Sequence, residues 1–140
     1  MKRDPQDFRP DLVHQALLAL LDSPLNKHNK LQVFIRTKRG VLIEISPELR
    51  MPRTYKRFAG VFCQLLQEGK IQSTTGGATL MTASKHLPSV MLPKSAKVIR
   101  VQKKAPLIEK LDSYIANETE NDKPLVFVVP LIDCDLVSNY

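Results

Sequence analysis

Tryptophan is absent from this chain, and the remaining aromatics are three tyrosines and five phenylalanines. A core must therefore be built mainly from Leu, Val and Ile. No apolar run approaches the roughly 18 residues that a membrane-spanning helix needs, so no membrane partner is expected. The opening Met-Lys-Arg-Asp-Pro-Gln-Asp has no apolar stretch behind it, so no secretory signal is expected. There are only two cysteines, Cys63 and Cys134, far apart and without CxxC spacing. This predicts a reducing, intracellular setting and no structural zinc. None of the three histidines, His14, His28 and His86, belongs to an HxxxH pattern or a His/Cys/Asp constellation, so no metal site is expected. GxSxG, Walker A and GxGxxG are all missing, and Gly76-Gly77 is too short to cradle a phosphate.

Positive charge is plentiful. The 140 residues carry 21 Lys and Arg against 14 Asp and Glu, a net charge of +7. Residues 27–57 hold nine basic groups against Glu44 and Glu48, and residues 94–110 hold six against Glu109. Residues 111–140 reverse the sign, with Lys123 against six acids. Basic charge gathered into blocks is the footprint of a nucleic-acid face.

The length suits one compact domain, 1–140. A helix is predicted from Pro10-Asp11, where proline suits the first turn and the acid suits the positive helix end. Leu12, Val13, Ala16, Leu17, Leu20 and Leu21 form its apolar face, with His14 toward the polar side. Asp22-Ser23-Pro24 ends it, and Leu25 to Lys30 reads as a loop. Leu31 to Thr37 and Val41 to Ile45 predict a hairpin about Lys38-Arg39-Gly40. A second helix is predicted after Arg53, capped by Thr54, lined by Tyr55, Phe58, Phe62, Leu65 and Leu66, and stopped by Gly69. Cys63 on that helix is expected in the core. Thr74 to Gly77 is a connection, Leu80 to Thr82 a short strand and Lys97 to Val101 a better one. Pro106 to Ile115 fits a short helix and Asn117 to Lys123 a polar loop. Leu125 to Val129 is an unbroken apolar run, as in a buried parallel strand. Alternating strands and helices give the α/β class.

The segment Arg50-Met-Pro-Arg-Thr-Tyr-Lys-Arg57 is the leading site candidate. On a helix Arg53 and Arg57 share a face, with Lys56 beside them and Arg50 just upstream. Arginine's planar fork grips phosphate in two places. Cations in a first helical turn also oppose the helix dipole, which a bound anion would relieve. The other reading is a solvated face with carboxylate partners. Asp22 can act as a base or orient one, or it can fix a turn by accepting backbone N–H bonds. Arg9 and Asp11, either side of Pro10, can pair with each other, or Arg9 can meet a substrate.

Several stretches together resemble one family: Arg9-Pro-Asp-Leu-Val-His-Gln15, Leu20-Leu-Asp-Ser-Pro-Leu-Asn-Lys27, Leu31-Gln-Val33, Val41-Leu-Ile-Glu44 and Arg50 to Phe58. The likeness continues through Gln64 to Leu66, Leu87-Pro88 and Leu125 to Val129, and returns at Ser138-Asn139-Tyr140. The family is that of small-subunit ribosomal-RNA pseudouridine N1-methyltransferases of eukaryotes and archaea, of the SPOUT class. The resemblance implies a trefoil-knotted α/β fold, a homodimer and S-adenosylmethionine as methyl donor. It implies small-subunit ribosomal RNA and pre-ribosomal assembly proteins as partners. The implied location is the nucleus and nucleolus in a eukaryote, the cytoplasm otherwise. By the same likeness Arg9, Arg50, Arg53 and Arg57 contact RNA around a flipped nucleotide, and Asp11 and Asp22 lie near the substrate pocket; Asp11 and Lys56 are counted with the expected RNA-binding residues. Asp22 is the implied base or orienter, Arg9 the stabiliser of the anion, and Ser138, Asn139 and Tyr140 the cofactor contacts. The pattern departs after Val129, where Pro130-Leu-Ile-Asp-Cys-Asp135 replaces the family's glycine-rich loop. The expectation is an intact RNA-binding part and an incomplete knot and cofactor-binding part. The alternative function is therefore a ribosome assembly factor, or truncated paralogue, that grips ribosomal RNA without binding the cofactor.

Overall fold

The computed structural model describes residues 9–86, 88–102, 105–106, 110–119 and 123–132. Contacts divide the chain into two compact units, 1–87 and 88–140.

In the first unit, α1 (Pro10–Leu21) begins at the foreseen proline, with Asp11 in its first turn. Leu17 and Leu21 are buried on it, and so is His14, which has left the expected polar side. The spacing 14, 17, 21 explains this, because steps of three and four keep one helix face toward the core. Leu20, expected on the apolar face, is 40% exposed. Residues 25–30, expected as loop, begin inside a one-turn helix, α2 (Pro24–Lys27). Ser23 caps it by accepting the Asn26 N–H at 3.3 Å, and Pro24 occupies its first turn.

The predicted hairpin is present. β1 (Val33–Arg36) pairs antiparallel with β2 (Leu42–Ile45), placing Val33 opposite Ile45 and Arg36 opposite Leu42. Gly40 closes the turn at φ +79°, a left-handed conformation costly for other residues. α3 (Tyr55–Glu68) follows and stops at Gly69, whose φ of +78° satisfies the expected glycine cap. Thr54 stands at the N-cap but makes no side-chain capping bond. Phe58 and Leu65 are buried, whereas Tyr55, Leu66 and Cys63 are exposed, so the expected apolar face is too wide. Cys63 falls outside the narrow stripe formed by Phe58, Phe62 and Leu65.

The chain then adds β3 (Lys70–Gln72) and β4 (Thr79–Ser84), joined through the Thr74 to Gly77 turn. The antiparallel sheet runs β1-β2-β4-β3. α1 packs on α3, and α3 on β3 and β4. Leu17, Ile43, Ile45, Phe58, Leu65 and Met81 are almost fully buried in the resulting core. Each such side chain contributes about 1.5–3 kcal/mol through burial.

The second unit contains α4 (Pro88–Met91), β5 (Lys97–Arg100), α5 (Leu111–Thr119) and β6 (Leu125–Val128). β5 and β6 are parallel, with Lys97 opposite Leu125 and Arg100 opposite Val128. The predicted parallel strand is thus found, but it is not deeply buried: Phe127 is 44% exposed. α5 lies later than the expected 106–115 and takes up the start of the predicted 117–123 loop. Part of that expected helix, residues 107–109, lies outside the described residues, as do Cys134 and the cofactor candidates Ser138, Asn139 and Tyr140. The sheets and helices together give the expected α/β class. Among the described residues no helix is long and apolar enough to cross a membrane.

Candidate nucleic-acid interface

The site grows from the joints of the first unit. The end of α1, the α2 turn and the segment linking β2 to α3 enclose a cleft of about 500 Å³. Asp22, Asn26 and Lys27 line one side, and Leu49, Arg50 and Arg53 line the other. Asp22 is the C-cap of α1. Its Oδ2 accepts a hydrogen bond from Arg53 Nη2 at 3.3 Å, and both side chains are largely exposed. The residues are 31 positions apart in sequence, so only the fold brings them together.

α3 begins at Tyr55 with Thr54 at its N-cap position, as expected, so Arg53 precedes the helix and does not share a helical face with Arg57. From there it reaches Asp22. Lys56 and Arg57 occupy the exposed first turn of α3, which contains no acid. Two cations therefore face the positive end of the helix dipole, an arrangement that a phosphate would stabilise.

Arg9 and Asp11 pair with each other at the start of α1. Arg9 Nη2 donates to Asp11 Oδ2 at 2.8 Å, and Nε donates to Oδ1 at 3.0 Å. The hydrogen bonds to Asp11 and the carboxylate charge raise the Arg9 pKa. The bond from Arg9 lowers that of Asp11, with its charge adding to the effect. Neither residue is part of the cleft lining, unlike Asp22, Arg50 and Arg53.

Two polar residues of this region carried no assigned role in the sequence. Asn26 is 7% exposed and donates to the carbonyls of Leu21 and Pro47, each at 3.0 Å. His14 is 2% exposed, and its Nε2 lies 2.7 Å from the Pro52 carbonyl. The His14 ring stacks on Phe58 with centroids 4.6 Å apart. The available clues were the helical phase of His14 with Leu17 and Leu21, and the capping serine that turns Asn26 inward.

Chemically, the cleft offers a carboxylate that can accept a proton and guanidinium groups that can hold an anion. Among the described residues no group of three or more His, Cys, Asp or Glu could hold a metal ion.

A family described as EMG1/NEP1 methyltransferase matches residues 1–136. The ribosomal RNA small subunit methyltransferase nep-1 of Caenorhabditis elegans is 41% identical, over 91% of this chain and 54% of its own length. The human protein called ribosomal RNA small subunit methyltransferase NEP1 is 37% identical, over 91% of this chain and 50% of its own. The chain thus spans about half the length of these curated relatives. The crystal structure of Archaeoglobus fulgidus Nep1 bound to S-adenosylhomocysteine matches with a TM-score of 0.72 at 30% identity. That match covers 90% of this chain and 54% of the archaeal one, and it supports the expected SPOUT-class fold. With a family match over nearly its whole length and a shared fold, the chain belongs to the EMG1/NEP1 methyltransferase family.

Proposed function

We propose that this chain binds small-subunit ribosomal RNA through Arg50 to Arg57 and serves N1-methylation of a pseudouridine during ribosome biogenesis. The observation that carries the reading is the Asp22–Arg53 pair, 3.3 Å apart on a cleft that Arg50 also lines. Arg50, Arg53, Lys56 and Arg57 hold the RNA backbone in this reading. Asp11 keeps Arg9 in place at the edge of the RNA-contacting surface. Nitrogen N1 of pseudouridine carries a proton that must leave before the nitrogen can attack a methyl group. In this reading Asp22 accepts that proton or orients the base. Arg9 is assigned to stabilise the anion left on the base. Extruding the base costs a few kcal/mol, offset by phosphate contacts.

S-adenosylmethionine supplies the electrophilic methyl group when bound, in keeping with the S-adenosylhomocysteine of the archaeal relative. Its contacts are assigned to Ser138, Asn139 and Tyr140. The described stretch after β6, Val129 to Ile132, does not resemble a glycine-rich cofactor loop, because it has no glycine and Pro130 has no backbone N–H. This same stretch favours a second reading, in which the chain grips ribosomal RNA as an assembly factor without transferring methyl groups. A homodimer, pre-ribosomal protein partners and a nucleolar location, if eukaryotic, complete the proposal.

Two measurements test it. Calorimetric titration with S-adenosylmethionine should give binding heat; no heat at high ligand concentration selects the second reading. In a methyl-incorporation assay, Asp22→Asn should lower the rate on the order of 100-fold while RNA affinity stays close to that of the parent. An undiminished rate removes Asp22 from the proton transfer.

A further inference from the structure

Residues 46–54, the link between β2 and α3, carry Arg50 and Arg53 yet belong to no helix or strand. A free link of this length would spread its arginines over many positions and would lose that freedom on binding. Two buried side chains hold its backbone from outside. Near its start, Asn26 donates to the Pro47 carbonyl at 3.0 Å. Near its end, His14 meets the Pro52 carbonyl at 2.7 Å. A carbonyl can only accept, so His14 Nε2 is the donor in this contact. Arg50 lies between the two attachment points, and Arg53 directly follows the second.

The details suit a positioning role. Both hydrogen-bond acceptors of Asn26 are carbonyls, at Leu21 and Pro47, which fixes the amide with its nitrogen toward them. Its Oδ1 is left buried without a partner, a penalty that a purely space-filling apolar residue would avoid. The His14 ring also rests on Phe58 and meets Tyr55 edge-on, with centroids 6.1 Å apart. It therefore sets the link against the first turn of α3, which holds Lys56 and Arg57. We infer that His14 and Asn26 are positioning residues that hold the arginine-bearing link in its RNA-binding shape before RNA arrives. The inference rests on the reading of Arg50 to Arg57 as an RNA contact.

The test uses the full chain and a fluorescent hairpin of small-subunit ribosomal RNA, with hydrogen exchange followed over residues 48–53. His14→Phe keeps a ring against Phe58 and removes the donor, while His14→Gln returns a donor near the position of Nε2. Asn26→Ala removes the other attachment, and Arg53→Ala reports on the underlying contact. His14→Phe and Asn26→Ala should each weaken RNA binding by the folded protein about fivefold, the scale of one lost hydrogen bond. The salt dependence should be unchanged because no phosphate contact is removed. Exchange over 48–53 should quicken, and His14→Gln should recover both affinity and protection. If His14→Phe does not fold, Asn26→Ala carries the comparison, with His14→Gln still expected to bind as the parent does. Affinities within twofold of the parent for the folded variants among His14→Phe and Asn26→Ala, while Arg53→Ala weakens binding, overturn the positioning role. If Arg53→Ala also binds as the parent does, the RNA reading of the segment fails and this inference fails with it.

Discussion

The two compact units treat their apolar residues differently. In the first, Leu17, Ile43, Ile45, Phe58, Leu65 and Met81 are all but sealed from solvent. Among the described residues of the second, none is buried to that degree, and Val98, Phe127 and Val129 are 40%, 44% and 58% exposed. The difference has a physical source. The antiparallel sheet of the first unit has α3 packed against it, α1 packs on α3, and Leu17 and Leu21 of α1 join Ile43 and Ile45 in one core. Among its described residues the second unit has a two-stranded sheet, and two strands alone bury little. The arginine segment and Asp22 therefore stand on the firmer foundation, where a small cleft can keep its shape.

The largest expected effect falls in that foundation. Phe58→Ala should destabilise the protein by about 3–5 kcal/mol, since a sealed aromatic leaves a cavity. Phe127→Ala should cost less than about 1.5 kcal/mol, because half-exposed residues lose little transfer free energy. Urea denaturation of both variants checks the pair, and equal losses would break the comparison. Native-state hydrogen exchange offers a second check. Amides of β2 and α3 should exchange only on global unfolding, while those of β5 and β6 should exchange by smaller openings.

The smallest effect concerns Arg9 and Asp11. Their pairing lowers the Asp11 pKa, so its stabilisation is present above the ordinary carboxylate range and disappears as pH falls through the lowered value. Both groups are exposed and screened by solvent. Arg9→Ala should thus change the melting temperature slightly at neutral pH and not at all below the carboxylate range. A difference that grows as pH falls would contradict the pairing.

Local rules made much of this legible. Pro10 and Asp11 mark the start of α1, Gly40 the hairpin and Gly69 the end of α3, because each position needs a particular backbone conformation. The apolar run at Leu125 to Val129 indicates a parallel strand, though not its exposure, which depends on packing rather than composition. β3 has no clear sequence signal, because Lys70-Ile-Gln72 is short and mostly polar. At the site, Arg50 and Asp22 stand out as residue types, yet their shared cleft depends on long-range folding. The four-residue spacing of Arg53 and Arg57 would fit a shared helix face, but Thr54 keeps an extended backbone at the N-cap and leaves Arg53 outside the helix. Polarity alone would put His14 on the outer side of α1, but its helical phase with Leu17 and Leu21 buries it.

The central claim is that Arg50, Arg53 and Arg57 meet RNA phosphates from the cleft and the start of α3. The most direct test is the salt dependence of RNA binding for the parent and for a variant with all three changed to Ala. Each lost contact should reduce the slope of log affinity against log salt by about 0.7–0.9. A variant that binds more weakly with a slope flattened by about two or more supports the account. A slope equal to that of the parent would contradict it.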